Sequence, residues 1–173
     1  KLTGRLNTRL RDAGDNMTVD GRLLINGAGF TEQVSGIAFD DIRGSLAFDR
    51  DQLEATGLTA SYKQAAVSLD VLADWDADEV FRASVHGDLP VSSVIPEELA
   101  RLEPLFERAG GTSHWRAVVS VASVEGRDAR ETWLELSSEL EGISIDMPAP
   151  LDKPADARWP LTVRYPILAA ENI

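Results

Sequence analysis

Apolar and polar residues alternate in short runs along most of the chain. In residues 66–72, Val67, Leu69 and Val71 fall on one side of an extended backbone, with Ser68 and Asp70 on the other. Phe81, Ala83 and Val85 alternate with Arg82, Ser84 and His86, and Trp115, Ala117, Val119 and Val121 form a further apolar row. Leu134 and Leu136 alternate with Glu135 and Ser137, and Ile143 and Ile145 with Ser144 and Asp146. A period of two with one apolar face marks a half-buried antiparallel strand. About ten such segments follow one another at spacings typical of meanders or sandwiches. A loose Gly-x-Leu repeat runs through them at Gly4-Arg5-Leu6, Gly21-Arg22-Leu23, Gly44-Ser45-Leu46 and Gly87-Asp88-Leu89. Glycine inside a strand marks a bulge or bend, so its recurrence predicts a sheet that curls as strands are added.

One stretch breaks the rhythm. Residues 95–109 place Pro96 at a first helical position and Glu97 and Glu98 in the first turn, where the helix dipole favours anions. Ile95, Leu99, Leu102 and Phe106 recur at helical spacing, Pro104 predicts a kink, and Gly110-Gly111 an end. The expected fold is therefore mainly β. It is a curved antiparallel sheet, groove-like or a partly open sandwich, with one short helical insertion near residues 95–109. That helix is expected over one end or face of the sheet. Alternatively, Leu99, Leu102 and Phe106 make it a gate over an apolar groove.

The 173 residues are enough for one domain, and 43% hydrophobic with 27% charged content is ordinary for a soluble globular protein. The chain opens on Lys1 and is in strand rhythm by Leu2, so residues 1–173 are expected to be a single β-rich fragment of a longer protein. No charged segment followed by an apolar one predicts a signal peptide, and no apolar run approaches the ~20 residues that cross a bilayer. Seventeen basic against 29 acidic residues give a net charge of −12. This argues against nucleic acid as a partner and against adhesion to anionic headgroups, because both need Lys and Arg. With no cysteine, disulfides, thiolate metal sites and Cys nucleophiles are excluded.

Candidate chemistry is sparse. The two histidines are His86, on the polar side of its strand, and His114, expected in a loop after Gly-Gly-Thr-Ser. Ser113 and His114 are adjacent, but no Gly-x-Ser-x-Gly elbow accompanies them. The acidic run from Asp74 to Glu79 fails the calcium-loop pattern, because Glu79 stands where Gly is needed and Val85 where Glu is needed. It reads as an acidic turn between strands. Gly27-Ala28-Gly29 lacks the third glycine and the helix of a dinucleotide site, and reads as a loop. Trp75, Trp115, Trp133 and Trp159 show no stacking-ladder spacing and read as core or edge anchors. No catalytic residue, metal ligand or cofactor is expected.

The most distinctive stretch is residues 135–154. Ser138-Glu139-Leu140-Glu141-Gly142 leads through a strand into Met147-Pro148-Ala149-Pro150-Leu151-Asp152-Lys153. This resembles a signature of the YhdP-type, AsmA-like family, in which "Ser-x-Leu-x-Gly" precedes "Leu-Pro-x-Pro-Leu-x-Lys". Met147 stands where Leu is usual and Asp152 where Gly is common. Upstream, Gly44-Ser45-Leu46-Ala47-Phe48 is similar to the family's "Gly-x-Leu-x-Phe" strand. The order of strands, proline-led helix, Gly-Gly and Trp115 is similar to its central region. The resemblance implies part of a periplasmic bridge anchored in the inner membrane by parts absent here. It further implies a role in phospholipid transport toward the outer membrane. Its implied partners are phospholipid acyl chains and neighbouring segments of the same full-length chain.

Physics makes this coherent without an enzyme. At roughly 0.8 kcal/mol per methylene, a diacyl lipid crossing water meets a barrier on the order of 20 kcal/mol. A continuous apolar trough removes most of it. Ten strands about 4.8 Å apart would line about 50 Å of such a path. Val67, Leu69, Val71, Phe81, Ala83 and Val85 are the groove candidates. The same rows would fill a closed sandwich core, the arrangement that alternation alone favours; the family resemblance favours an open or partly open groove. A structural scaffold of the envelope and a polymer-binding sandwich are the competing functions.

Overall fold

The computed structural model describes residues 6–11, 18–32, 36–94, 108–123 and 130–167. Ten strands form among these residues: β1 (Leu6–Arg11), β2 (Thr18–Thr31), β3 (Ala38–Phe48), β4 (Gln52–Tyr62), β5 (Ala65–Asp74), β6 (Glu79–Pro90), β7 (Ala109–Ser123), β8 (Arg130–Ser138), β9 (Ile143–Ile145) and β10 (Leu161–Ile167). Nine make one open antiparallel sheet in the order β1-β2-β3-β4-β5-β6-β7-β8-β10, while β9 pairs with the first residues of β7. The mainly-β, curved-sheet expectation holds, in its open form.

The register aligns the apolar positions of successive strands. Leu58, Leu69, Val85, Ala117, Leu136 and Val163 lie opposite one another across β4, β5, β6, β7, β8 and β10. Ala55, Val71, Ala83, Val119, Leu134 and Tyr165 make a second row beside them. Because side chains alternate between faces, both rows share one apolar face. Arg82, Arg116, Glu135 and Arg164 take the other.

Bulges interrupt the pairing of β2 with β3, β3 with β4, β4 with β5 and β6 with β7. Each adds local twist, so the ribbon coils. The β4 bulge is pinned from the polar face: the Gly57 N–H donates to Asp70 Oδ1 at 2.8 Å, and Ser84 Oγ donates to Asp70 Oδ2 at 3.2 Å. The Gly-x-Leu repeat acquires a physical meaning here. A Cβ on Gly21 would lie 2.5 Å from the Phe48 ring, on Gly44 2.5 Å from Leu58 Cδ2, and on Gly87 2.8 Å from the Ala66 carbonyl oxygen. At each of these glycines the neighbouring strand folds over the missing side chain. The coiled sheet needs that room.

Three local expectations are corrected. Gly27-Ala28-Gly29 lies inside β2, at its bulges, rather than in a loop. His114 lies in β7, not in a loop. Gly110 and Gly111 begin β7, where they pair with Ser144 and Ile143, instead of ending a helix. The pairing partners are more than 30 residues away, beyond the reach of local pattern. The helical turn observed, α1, is Val91–Val94, just before the expected insertion. Residues 95–107, with the gate positions Leu99, Leu102 and Phe106, lie outside the described residues. α1 is tied to the β4–β5 hairpin, because the Ser93 carbonyl accepts from Tyr62 Oη at 3.3 Å and from Lys63 Nζ at 3.1 Å.

Candidate functional site

The apolar face is sealed at one end and open at the other. Ala55, Leu58, Ala60, Val67, Leu69, Leu89, Trp115 and Ile143 form the buried cluster, joined by half-buried Phe39, Ile42 and Leu46 of β3 and by Val91 and Val94 of α1. Beyond Leu89 of β6 and Trp115 of β7, which belong to the cluster, and Val85 and Leu136, which pack against it, the cover thins. Phe81, Ala83, Val85, Ala117, Val119, Val121, Leu134 and Leu136 are only half-buried. On β10 the exposure rises to 43% at Val163, 43% at Tyr165 and 39% at Ile167. Among the described residues no second sheet lies over these rows. The result is an uncovered apolar strip, with no charged side chain in the two aligned rows.

The groove candidates thus divide. Val67 and Leu69 are buried in the cluster, Val71 and Val85 are half-buried against it, and Ala83 and Phe81 are half-buried away from it, with Phe81 in a further row opposite Ala73 and Val121. Leu134, Leu136, Val163, Tyr165 and Ile167 share this face beyond the groove candidates. Leu134 and Leu136 alternate visibly in the sequence, but the register that joins them and β10 to β6 is tertiary.

The sealed end is built by residues 139–160, the stretch that carries the distinctive signature. Ser138 Oγ accepts the Leu140 N–H at 3.0 Å and lies 3.0 Å from Ser113 Oγ. Gly111 and Gly142 meet so closely that a side chain on either would strike the opposing backbone, the Gly142 or Thr112 carbonyl oxygen. Ile143 is thereby pressed into the cluster and is 1% exposed. Lys153, 2% exposed, fastens the turn from within. Its Nζ donates to the carbonyls of Leu140 at 2.7 Å, Ile143 at 2.8 Å and Pro154 at 3.2 Å, using all three ammonium protons. Ile145 and Lys153 exchange backbone hydrogen bonds at 2.9 and 3.0 Å, and the Gly142 N–H donates to Ala155 O at 2.7 Å. The signature lysine is a structural clasp.

The two histidines lie on the polar face. His114 Nδ1 lies 2.9 Å from Asp88 Oδ1, and the His86 and His114 rings are 6.0 Å apart. Ser113 and His114 are consecutive in a strand, so they point to opposite faces, and Ser113 is buried against Ser138. Among the described residues no group of three His, Asp or Glu side chains is placed to hold a metal. The acidic run forms the turn between β5 and β6, as expected. An open cleft of about 590 Å³ near Asp88, His114, Arg116, Ser137, Glu139 and Thr162 mixes both charge signs. Of the tryptophans, Trp115 is core, Trp75 and Trp159 are exposed, and Trp133 carries the Arg164 guanidinium 4.6 Å above its ring. No helix among the described residues is long and apolar enough to cross a membrane.

A family model described as YhdP protein matches residues 2–170, nearly the whole chain. No curated protein and no solved structure matches it. The matched family is one of bacterial envelope proteins, linked at a coarse level to lipid transport and not known for enzymatic activity.

Proposed function

The chain belongs to the YhdP family, and we propose that its open trough holds the acyl chains of phospholipids moving through the periplasm between inner and outer membranes. It does so as a non-enzymatic segment of an inner-membrane-anchored protein. The observation that carries this reading is the coverage of the apolar face. The β4–β5 part, with Leu89 and Trp115, is packed as a core that Val85 and Leu136 border, while Ala83, Ala117, Val119, Leu134, Val163 and Tyr165 stay half-buried or exposed. A folded protein that leaves so long a contiguous apolar strip uncovered has an apolar partner for it. Transfer along the strip needs no chemistry, because a tail that never leaves hydrocarbon avoids the cost of hydrating its methylenes.

The test is organic extraction and mass spectrometry of the purified chain, beside a Val119→Glu variant. Phospholipid should accompany the wild type and be lost from the variant while circular dichroism is unchanged. A wild type free of lipid after expression and after incubation with phosphatidylethanolamine vesicles would sink the reading. A second reading is supported by β10, whose outer edge and exposed Val163, Tyr165 and Ile167 also suit a neighbouring segment of the same full-length protein. In that case the strip is an assembly surface, and the lipid-free outcome is the one it expects.

A further inference from the structure

Beside the clasped segment the sheet has a gap. β8 pairs with β7 as far as Trp115 opposite Ser138, and β9 takes up the same edge only from Gly111 opposite Ile143. Between these points Thr112, Ser113 and His114 have no strand on that side among the described residues, because the chain turns away after Ser138, with Leu140 at a φ of 52°. The open cleft of about 590 Å³ lies here, with Asp88, His114 and Arg116 on one wall and Glu139 and Glu141 on the other. Most of these charges are matched. Asp88 meets His114 at 2.9 Å, and Glu141 meets Arg158 at 2.8 Å. Two are not: among the described residues neither the Arg116 guanidinium nor the Glu139 carboxylate has an ion-pair partner. Arg116 shares a cross-strand row with Ser137 of β8 and Thr162 of β10, so their hydroxyls lie on its face. Glu139 stands two residues beyond Ser137, about 7 Å further along at strand rise.

We propose that this cleft binds a small zwitterion of the phosphoethanolamine type, with its phosphate on Arg116, Ser137 and Thr162 and its ammonium on Glu139. The charges select the class. A bare anion would enter against Asp88, Glu139 and Glu141 on a chain of net charge −12. A bare cation would meet the unmatched guanidinium. A ligand carrying both charges on a short linker satisfies Arg116 and Glu139 together. On the anionic side a forked guanidinium and two hydroxyls can donate to more than two oxygens, which suits phosphate better than carboxylate. The site is separate from the apolar strip and goes beyond acyl-chain binding. A free zwitterion and a lipid headgroup present the same chemistry to it.

Nuclear magnetic resonance titration of the chain with O-phosphoethanolamine, inorganic phosphate and ethanolamine tests this. Phosphoethanolamine should shift the amides of Thr112, His114, Arg116 and Glu139 saturably. Each half alone should bind about tenfold more weakly, the loss of one charge-assisted contact. Arg116→Gln and Glu139→Gln, both at exposed positions, should each weaken phosphoethanolamine by about the same factor. No saturable shift at these amides would overturn the proposal, as would phosphate binding as tightly as phosphoethanolamine or a Glu139→Gln variant that binds phosphoethanolamine like the wild type. Flotation with phosphatidylethanolamine against phosphatidylglycerol vesicles then identifies the source. Binding specific to phosphatidylethanolamine and lost in Glu139→Gln assigns the headgroup; its absence, beside the soluble response, assigns the free zwitterion.

Discussion

Replacing Lys153 with Met tests whether the clasp holds the sealed end of the sheet. Methionine keeps an unbranched apolar stem of similar reach but removes the ammonium. The carbonyls of Leu140, Ile143 and Pro154 then lose their donor inside a site where Lys153 is 2% exposed. Hydrogen bonds to a charged group contribute about 1.5–3 kcal/mol each, and three on one atom do not add. A loss of about 3 kcal/mol is expected. It falls on local opening of residues 139–160, since the nine-strand sheet does not pass through them. Amide hydrogen exchange reads this directly. About 3 kcal/mol corresponds to roughly two powers of ten in exchange rate. That acceleration should appear at the amides of Gly142, Ile145 and Lys153, each of which donates within the clasped segment. Amides in the centres of β5 and β6 should exchange as before. Unchanged exchange at the three clasp amides, in a variant that remains folded, would refute the assignment of Lys153 as the fastener.

Other perturbations separate core from trough. Leu69→Ala should cost about 2–5 kcal/mol in urea unfolding because Leu69 is buried, whereas half-buried Val119→Ala should cost well under half as much. Equal losses would mean that the β6–β8 rows are core as well. Gly44→Ala should destabilise by about 1–3 kcal/mol, since its Cβ would sit 2.5 Å from Leu58 Cδ2 at a φ of 143°. A neutral Gly44→Ala would mean that the sheet is not coiled tightly there. A hydrogen bond from the Arg43 guanidinium holds the Asp41 carboxyl below the usual carboxylate range. The stability this pair adds is therefore complete above the ordinary carboxylate value and disappears as pH falls through the lowered one. Asp41→Asn keeps a side chain tolerant of the 53° φ at this position. Any gap from wild type in melting temperature at neutral pH should close in acid; a gap that widens there would contradict the pairing.

Much of the architecture was legible in the chain. Val67, Leu69 and Val71 against Ser68 and Asp70 announce a strand and its two faces, because side-chain alternation is a local property of extended backbone. The Gly-x-Leu repeat announced curvature, although only the coordinates show Phe48, Leu58 and the Ala66 carbonyl filling the vacant positions. The signature around Lys153 was recognisable as a motif, yet its purpose was not. The partners of Nζ include the carbonyls of Leu140 and Ile143, ten or more residues upstream across a turn. Gly110-Gly111 failed as a helix end for the same reason, since pairing with β9 overrode the local preference.

Alternation determined that this protein has one apolar face on an antiparallel sheet, and it could say nothing of what covers that face. A row such as Phe81, Ala83 and Val85 reads the same whether it meets a second sheet or a ligand. Coverage is decided by segments that return from far along the chain. Here residues 139–160 come back over Trp115 and Leu89 and stop there, and the coiling of β3 and β4 closes over Val67 and Leu69. Nothing among the described residues returns over Val119, Leu134 or Tyr165, so tertiary structure alone leaves those positions uncovered.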